Sequence, residues 1–439
     1  MLSAARWLLL KECRELAVSR AWWLLLLLMG PLAGVSFISA VRSYAEVSGL
    51  NGTAAGVGEA LAPLVGVWAP TFSACELAAV FLLPFVAIRI VGGDRQSGAL
   101  KLEMQRGLPP LARMTAKGCV ALLGWMIAML PPLSAILLWK IYGGTLHAPE
   151  LITLVAGHVL NAGLTIALGA AASSVAEHPS TAAILTLGVT VGTWIVNFFA
   201  AVQGGFWERV AMYTPAAIVA DFQHGLVRLD TVLIALILTL AGLGVSAIWQ
   251  ALGKHESRRA AESLGLLAAA AVLIYGCSFV RANWDTSENR ANSFPVADEL
   301  ALRSIHEPLK IEVHLASEDP RRSDLERQAL SKLKRLMPNL EIQYVASTST
   351  GLFEQTREGY GEIRYSLGNR QAMSRVTTAE GVLETIYELA KITPPKDISE
   401  PVFRGHPLAV AARGGSTIFY VLWPGLTLLA AILVRRGLK

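Results

Sequence analysis

Long apolar runs alternate with short polar stretches along most of this chain. A helix advances about 1.5 Å per residue, so roughly 20 apolar residues cross the ~30 Å hydrocarbon core of a membrane. Eight runs approach or exceed that length, and we predict that each forms a transmembrane helix. They are residues 21–41, 70–88, 119–139, 151–175, 181–202, 231–251, 264–280 and 418–434. Before them, residues 1–20 carry apolar side chains at helical spacing, which predicts an amphipathic interfacial helix.

The pattern changes after the seventh run, where strand-like alternation and helical periodicity replace continuous apolar sequence. Strands are predicted at 309–316, 340–346, 361–367 and 371–376, and helices at 323–337, 351–359 and 378–392. This β-α-β-(α)-β-β-α order is typical of a thioredoxin-like layer. Residues 282–414 are therefore expected to form a separate α/β domain.

The predicted fold class is an α-helical polytopic membrane protein with an inserted external α/β domain. The expected order is an interfacial helix (1–20), a six-span core (21–252), a cytoplasmic loop with the seventh span (253–281), the external domain (282–414), and the eighth span with a cytoplasmic tail (415–439). Composition agrees, since 53% of the residues are hydrophobic and only 16% are charged.

The distribution of Lys and Arg orients the spans. Sixteen basic residues fall in one set of short loops and termini, and four (Arg42, Lys140, Arg209 and Arg228) fall in the opposite set. Cytoplasmic loops carry the excess of Lys and Arg, so both termini are expected to be cytoplasmic. The net charge of +5 belongs to these loops, because residues 281–413 hold 18 basic and 19 acidic side chains. We therefore expect no nucleic-acid partner.

A polar and basic segment, residues 91–118, separates the second and third spans. Gly92 and Gly93 are expected to end the second span, and Ser97 to cap a short helix that reaches Met104. Leu100, Leu102 and Met104 would then be available for contact, together with Arg95 and Arg106. One interpretation is a solvated charged loop; the other is a docking element for a cytoplasmic partner.

Glu76 is the acidic residue placed well inside a predicted span. A charge at the centre of a span costs about 2.5–3.5 kcal/mol. Glu76 either faces an internal cavity or reaches the outer surface. His158 and Asn161 fall near one face of the fourth span, and Asn197 of the fifth could join them. These four residues are the candidates for a translocation path, although such residues also simply bond across helices.

Several kinds of chemistry lack a signature in this sequence. No GxxxxGK[ST] loop is present, so we expect no ATP hydrolysis by this chain itself. No HxxH, HExxH or CxxC spacing supports a metal or redox site, and the four cysteines lie outside residues 282–414. We assign no catalytic residue and no metal ligand, and we expect no cofactor in this chain.

The sequence GGDRQSGALKLEMQRGLPPLARMTAKG, preceded by an amphipathic helix and set among six spans, resembles the ABC-2-type permeases, the membrane subunits of ABC exporters. In that family an acidic residue, a Gly that starts a short helix, a Pro and a Lys mark the cytoplasmic loop that docks on the ATPase. Asp94, Gly98, Pro109 or Pro110, and Lys117 match these positions. Asp94 stands where Glu is commoner.

The second half is similar to the auxiliary membrane protein of gliding-motility-type ABC systems. The similarity rests on WDTSENRANSFPVADELALRSIHEPLKIEVHL after a span, on EGVLETIYELAKI, and on a last span followed by Arg435 and Arg436. This chain is shorter than the usual member, because it returns to the membrane soon after FRGHP.

These resemblances imply a permease subunit of a bacterial ABC exporter in the inner membrane, not itself an enzyme. Two copies of a separate ATPase, which would hold ATP and Mg²⁺, are expected to dock on residues 92–117. The permease would pair with itself or with a second permease, and the external domain would recruit substrate or a periplasmic or lipoprotein partner. Two rivals remain: a mechanotransmission complex that passes no cargo, and a membrane-anchored scaffold or sensor without transport.

The charge asymmetry predicts the topology directly. In a cysteine-free background, a single cysteine at position 347 should react with an impermeant thiol reagent added to intact cells. Cysteines at positions 178 and 255 should react only after the membrane is opened. External labelling at position 255 would contradict the predicted orientation.

Overall fold

The computed structural model describes residues 2–50, 62–105, 107–203, 206–251, 253–316, 319–345, 359–395, 405–406 and 414–437. Within these residues, eight helices are long and apolar enough to cross a membrane. We name them span 1 to span 8: Arg20–Ser48, Leu64–Phe81, Pro110–Ile141, Ala148–Val175, Pro179–Ala200, Leu229–Trp249, Glu256–Cys277 and Gly415–Gly437. Each overlaps one predicted run. The protein is a helical multi-pass membrane protein, as the apolar pattern predicted.

The chain divides into two compact units. The membrane unit comprises Met1–Asn197, Val210–Asn289 and Arg404–Lys439, and the sheet unit comprises Phe198–Arg209 and Arg290–Phe403. An external position for the sheet unit stays a prediction.

Several spans are built from more than one helical segment. Span 2 consists of Leu64–Trp68 and Ala69–Phe81 and is continued by Leu83–Ala87; span 3 consists of Pro110–Ala128 and Leu130–Ile141; span 8 consists of Gly415–Thr417, Ile418–Leu422 and Trp423–Gly437. Proline removes a helical hydrogen bond and clashes with the preceding turn. The interruptions at Leu82 and Met129 come just before Pro84 and Pro131, which accounts for both.

Span 4 forms the centre of the membrane unit, where it packs against spans 2, 3 and 6 and against the short helix Pro215–Gln223. Small residues allow these close approaches. A Cβ atom at Gly169 would collide with Ala87 after span 2, one at Gly242 of span 6 would press on Ala167, and one at Gly157 would meet Phe222. The hydroxyls of Ser174 and Ser246 also bond across spans 4 and 6 at 2.6 Å.

Span 8 packs on span 1 in the same way. Gly30 and Gly34 of span 1 leave room for Trp423 and Phe419, with which added Cβ atoms would overlap. The indole N–H of Trp423 donates to the carbonyl of Leu26 at 2.7 Å, and the rings of Phe37 and Phe419 are 6.0 Å apart. Two glycines one turn apart thus create the groove that holds the last span.

The first helix, Leu2–Val18, packs against span 3, with Leu8 buried and Leu16 close to Gly124. We name it the entry helix. Lys11 is not among the apolar residues whose helical spacing predicts the inward face of this helix. Lys11 turns toward the protein because acidic side chains of other segments meet it there.

A second group of contacts fixes the chain where it leaves and re-enters the membrane unit. Strand β1 (Leu226–Arg228) pairs antiparallel with β2 (Asn283–Asp285). The backbone N–H of Glu288 donates to Glu150 at 2.5 Å, and the Glu288 carboxylate lies 2.9 Å from His406. Tyr44 donates to the His406 carbonyl at 2.7 Å. These bonds attach residues 283–288 and His406 to spans 1 and 4.

The sheet unit has a four-stranded sheet formed by β3 (Leu309–Val313), β4 (Leu340–Tyr344), β5 (Ile363–Leu367) and β6 (Arg370–Ser374). The spatial order is β4-β3-β5-β6, with β3 parallel to β4 and the other pairs antiparallel. Its helices are Val296–Arg303, the consecutive segments Pro320–Leu325, Glu326–Leu330 and Ser331–Leu336, and Ala379–Ala390. Alternate residues of β3 and β5 are buried against the helices.

The strands and the two longer helices follow the chain order that the sequence predicted. The short helix predicted at 351–359 lies almost wholly outside the described residues. The likeness to a thioredoxin-like layer stays a prediction, since it rests on this order alone.

The contact between spans 1 and 8 yields a stability prediction. Gly34→Ala should lower the apparent melting temperature in detergent, because overpacking typically costs about 1–3 kcal/mol. Gly188→Ala is the matched control, since an added Cβ meets nothing within 4 Å. An alanine there should be neutral or stabilising, as expected for a helix interior. Equal melting temperatures for the two variants would contradict the packing described.

Candidate functional site

The segment between spans 2 and 3 consists of two helices, Arg89–Ser97 and Ala99–Met104, which we name the loop helices. Gly98 joins them with a φ of 76°, a left-handed conformation that glycine adopts without strain. The expectation that Gly92 and Gly93 end the preceding helix is wrong, because both lie inside Arg89–Ser97. The helix instead ends at Gly98, the residue with the positive φ.

A buried charge cluster joins the loop helices to the rest of the membrane unit. It consists of Lys11, Glu12, Asp94, Glu103 and Lys117. The Lys117 ammonium bonds to Glu12 at 2.6 Å, to Glu103 at 3.2 Å and also to Asp94. Lys11 bonds to Asp94 at 2.5 Å, to Glu12 at 3.1 Å and also to Glu103. The cluster therefore connects the entry helix, both loop helices and span 3.

Burial and pairing act differently on the charges of the cluster. Burial disfavours the anion and raises the pKa of Glu12, although Lys117 opposes it. Burial acts the same way on Asp94, but the two ammonium groups outweigh it and hold the pKa of Asp94 below its usual value. The same bonds raise the pKa of Lys11 against its burial. Glu15, which is about half exposed, also pairs with Lys11 at 3.0 Å, so carboxylates outnumber the ammonium groups here.

The three carboxylates of the cluster could in principle hold a cation. One oxygen each of Glu12, Asp94 and Glu103 lie within 4.8 Å of one another. Lys11 and Lys117 already supply a positive charge to all three. We therefore interpret the acidic groups as the partners of these lysines, and the absence of a bound metal stays a prediction.

Arg95 connects the loop helices to span 4. Its guanidinium donates to the carbonyl oxygens of Ala176, at 2.6 Å, and Ser174, at 2.9 Å. These carbonyls lie at the C-terminal end of span 4, where unpaired carbonyl groups and the helix dipole both favour a cation. Movement of the loop helices would therefore reach the central span directly.

The predicted docking residues divide into buried and exposed groups. Asp94 and Lys117 are buried and bond to each other, so they are not available as a contact surface. Leu102 has 63% of its surface exposed, and Leu100 and Met104 are partly exposed. Arg106 lies outside the described residues. Docking itself stays a prediction, and Leu102 is the member best placed for it.

A second candidate site is a cavity of about 260 Å³ within the membrane-spanning region, which we name the Glu76 groove. Spans 1, 2 and 5 line it. The lining residues are Leu32, Ser36, Ser73, Ala74, Glu76, Leu77, Val80, Phe81 and Trp194. Of these, Ser73, Leu77, Phe81 and Trp194 are also exposed at the protein surface. The groove is thus open at the surface of the helical bundle.

Glu76 also borders a smaller polar cleft on its other side. Asn161, Thr165, Thr190 and Thr193 line this cleft together with Glu76 and Trp194. The cleft has space of about 10 Å³, close to what one water molecule requires. The structure therefore brings together two of the four predicted pathway residues, Glu76 and Asn161.

The other two predicted pathway residues make different contacts. The Asn197 amide donates to the Thr193 carbonyl and to the Thr214 hydroxyl, both at 2.8 Å. His158 is buried against the ring of Phe72, with 5.5 Å between centroids. Neither residue lines the groove or the cleft.

Comparisons with known proteins do not assign this chain to a family. No family model matches it. No curated protein and no solved structure matches it either.

The charge cluster predicts opposite effects for two substitutions. Lys117→Met should destabilise the protein by about 3–5 kcal/mol, because it removes the fully buried ammonium group and leaves Glu12, Asp94 and Glu103 to share Lys11 alone. Glu12→Gln should be tolerated at pH 8. The raised pKa of Glu12 means that the folded state loses stability as pH rises through that pKa, and glutamine removes this loss.

Apparent melting temperatures between pH 5 and pH 8 would check both expectations. Lys101→Met is the matched control, because Lys101 is exposed on the loop helices. Its effect on stability should stay within about 0.5 kcal/mol, as is usual for surface substitutions. A Lys117 variant as stable as the Lys101 variant would refute a structural role for the cluster.

Proposed function

We propose that this protein is the permease subunit of a bacterial ABC transporter, working as an exporter in the inner membrane. A separate ATPase docks on the loop helices, and the permease acts as a dimer with two ATPase subunits. ATP and Mg²⁺ belong to the ATPase. The proposal rests on the resemblance of residues 92–118 to ABC-2-type permeases and on the geometry of the loop helices.

The single observation that carries the proposal is how the loop helices are held. Their inward faces are tied to three other elements: the charge cluster reaches the entry helix and span 3, and Arg95 reaches span 4. Their outward face presents Leu102. An element that is anchored inside and presents an exposed leucine outside is suited to transmit a partner's movement to the spans.

The Glu76 groove supports transport over the two rivals. A mechanotransmission complex or a scaffold has no need of a polar group inside the membrane, where an isolated charge is costly. The groove instead resembles a site at which a permease would meet a ligand. In this proposal residues 290–403 recruit a substrate or an external partner, and the bonds that attach residues 283–288 and His406 to spans 1 and 4 would relay that event.

Site-specific crosslinking in the native bacterium tests the docking. A photoreactive amino acid at position 102 should capture a protein with a GxxxxGK[ST] loop, identified by mass spectrometry. Leu102→Asp should then abolish copurification of that ATPase, because the charge would replace the exposed apolar contact. Ala260→Asp is the control, since Ala260 is exposed near the start of span 7, at an end that is also expected to be cytoplasmic.

Two outcomes would speak against the proposal. One is the capture of proteins that all lack a nucleotide-binding loop. The other is an ATPase that copurifies equally with the Leu102 and Ala260 variants, which would place its contact elsewhere on the permease.

A further inference from the structure

We propose that the Glu76 groove is a binding site for lipophilic cations, in which Glu76 pairs with the positive charge and Trp194 contacts it with its ring. The cation would carry an apolar tail that extends toward lipid. As a statement about the transported substrate this inference rests on the proposed function, whereas binding itself requires no ATPase.

The charge of the groove is the first argument. Glu76 is the ionisable member of the groove lining, and the lining of the polar cleft adds no other. Among the described residues, no ion pair involves Glu76, and its side-chain partner there is the uncharged Gln223. A carboxylate inside a membrane usually pairs with a cation or lines a hydrated cavity. A cationic ligand would supply the charge that this chain does not.

The walls of the groove are the second argument. Leu32, Leu77 and Phe81 present apolar side chains, and the indole of Trp194 completes the lining. The face of an indole ring attracts an ammonium group electrostatically, and the attraction strengthens when water is excluded. The combination of one carboxylate, one indole and aliphatic walls favours a cation with apolar substituents over a sugar or an anion.

The size and opening of the groove are the third argument. Its volume is about 260 Å³. Such a volume lies just below the range typical of pockets for drug-sized molecules. A trimethylammonium head and the first part of a chain would fill it. Leu77 and Trp194 are 45% and 47% exposed on the apolar surface of the bundle, so a tail could leave the groove between them into lipid.

Photoaffinity labelling of the purified protein in a non-ionic detergent tests this inference. The probe is an alkyltrimethylammonium with a diazirine in its chain, and the counter-probe is the alkyl sulfate of the same length with the same diazirine. The cationic probe should label peptides of spans 1, 2 or 5, and the sulfate should label them at least tenfold less.

Three variants test which side chains the labelling depends on. Glu76→Gln, which keeps the side-chain shape, should reduce labelling by the cation at least tenfold, and Trp194→Leu should reduce it several-fold. Glu46→Gln removes the same charge at an exposed position outside the groove and should leave labelling unchanged.

Equal labelling of these peptides by the cation and the sulfate would overturn the proposal, and this comparison uses the unmodified protein. Undiminished cation labelling of a Glu76→Gln variant that elutes as the parent does in gel filtration would overturn it too. Because no ATPase is present, these outcomes do not depend on the docking experiment. If the docking experiment failed while cation binding was intact, the proposed function would be refuted and the binding site would stand.

Discussion

The bond between Lys117 and Asp94 is the interaction on which the end of the membrane unit that carries the loop helices depends. It closes the segment between spans 2 and 3, since Asp94 lies near its start and Lys117 near its end. Lys117 has no exposed side-chain surface, and Asp94 has about 1%. Lys11, Glu12 and Glu103 complete the charge cluster through further ion pairs. Asp94 and Lys117 lie 23 positions apart in the sequence, and their bond closes the loop. This structural role explains the presence of both residues whether or not a partner protein docks on the loop.

This closure also relates the two candidate sites to each other. Glu76 and Asp94 are 18 positions apart in the chain. A continuous helix, which rises about 1.5 Å per residue, would separate two such positions by roughly 27 Å. Helical segments fill that interval, with interruptions at Leu82 and Ile88. Breaks near proline are the usual places where a helix bends. The loop helices are therefore joined to the groove along the chain through span 2, and Arg95 joins them to span 4 as well.

The sequence predicted the spans well because membrane burial requires only a long apolar run, which is a local property. Strands β3 and β5 were also predictable, since their residues alternate between buried and less buried positions. The position of Lys11 was not predictable, because its acidic partners lie 83 and 92 positions away. Trp194 was missed because three separate spans form the groove. Adjacent Gly92 and Gly93 are a strong local stop signal, yet the helix continues through both. The buried bonds of Asp94 hold that segment in place, so long-range pairing has overridden local propensity.

A buried ion cluster needs a reason beyond stability, since well-packed apolar residues of similar volume are often as stabilising or more so. At the end of a helical bundle near lipid, apolar contacts do little to fix one position of a segment, because the surrounding hydrocarbon is as apolar as the contact. Charged hydrogen bonds are specific in both distance and angle. Five charged groups from four segments therefore define one position for the loop helices. A segment that must pass a partner's movement to the spans needs such a defined position, whereas a merely solvated loop does not.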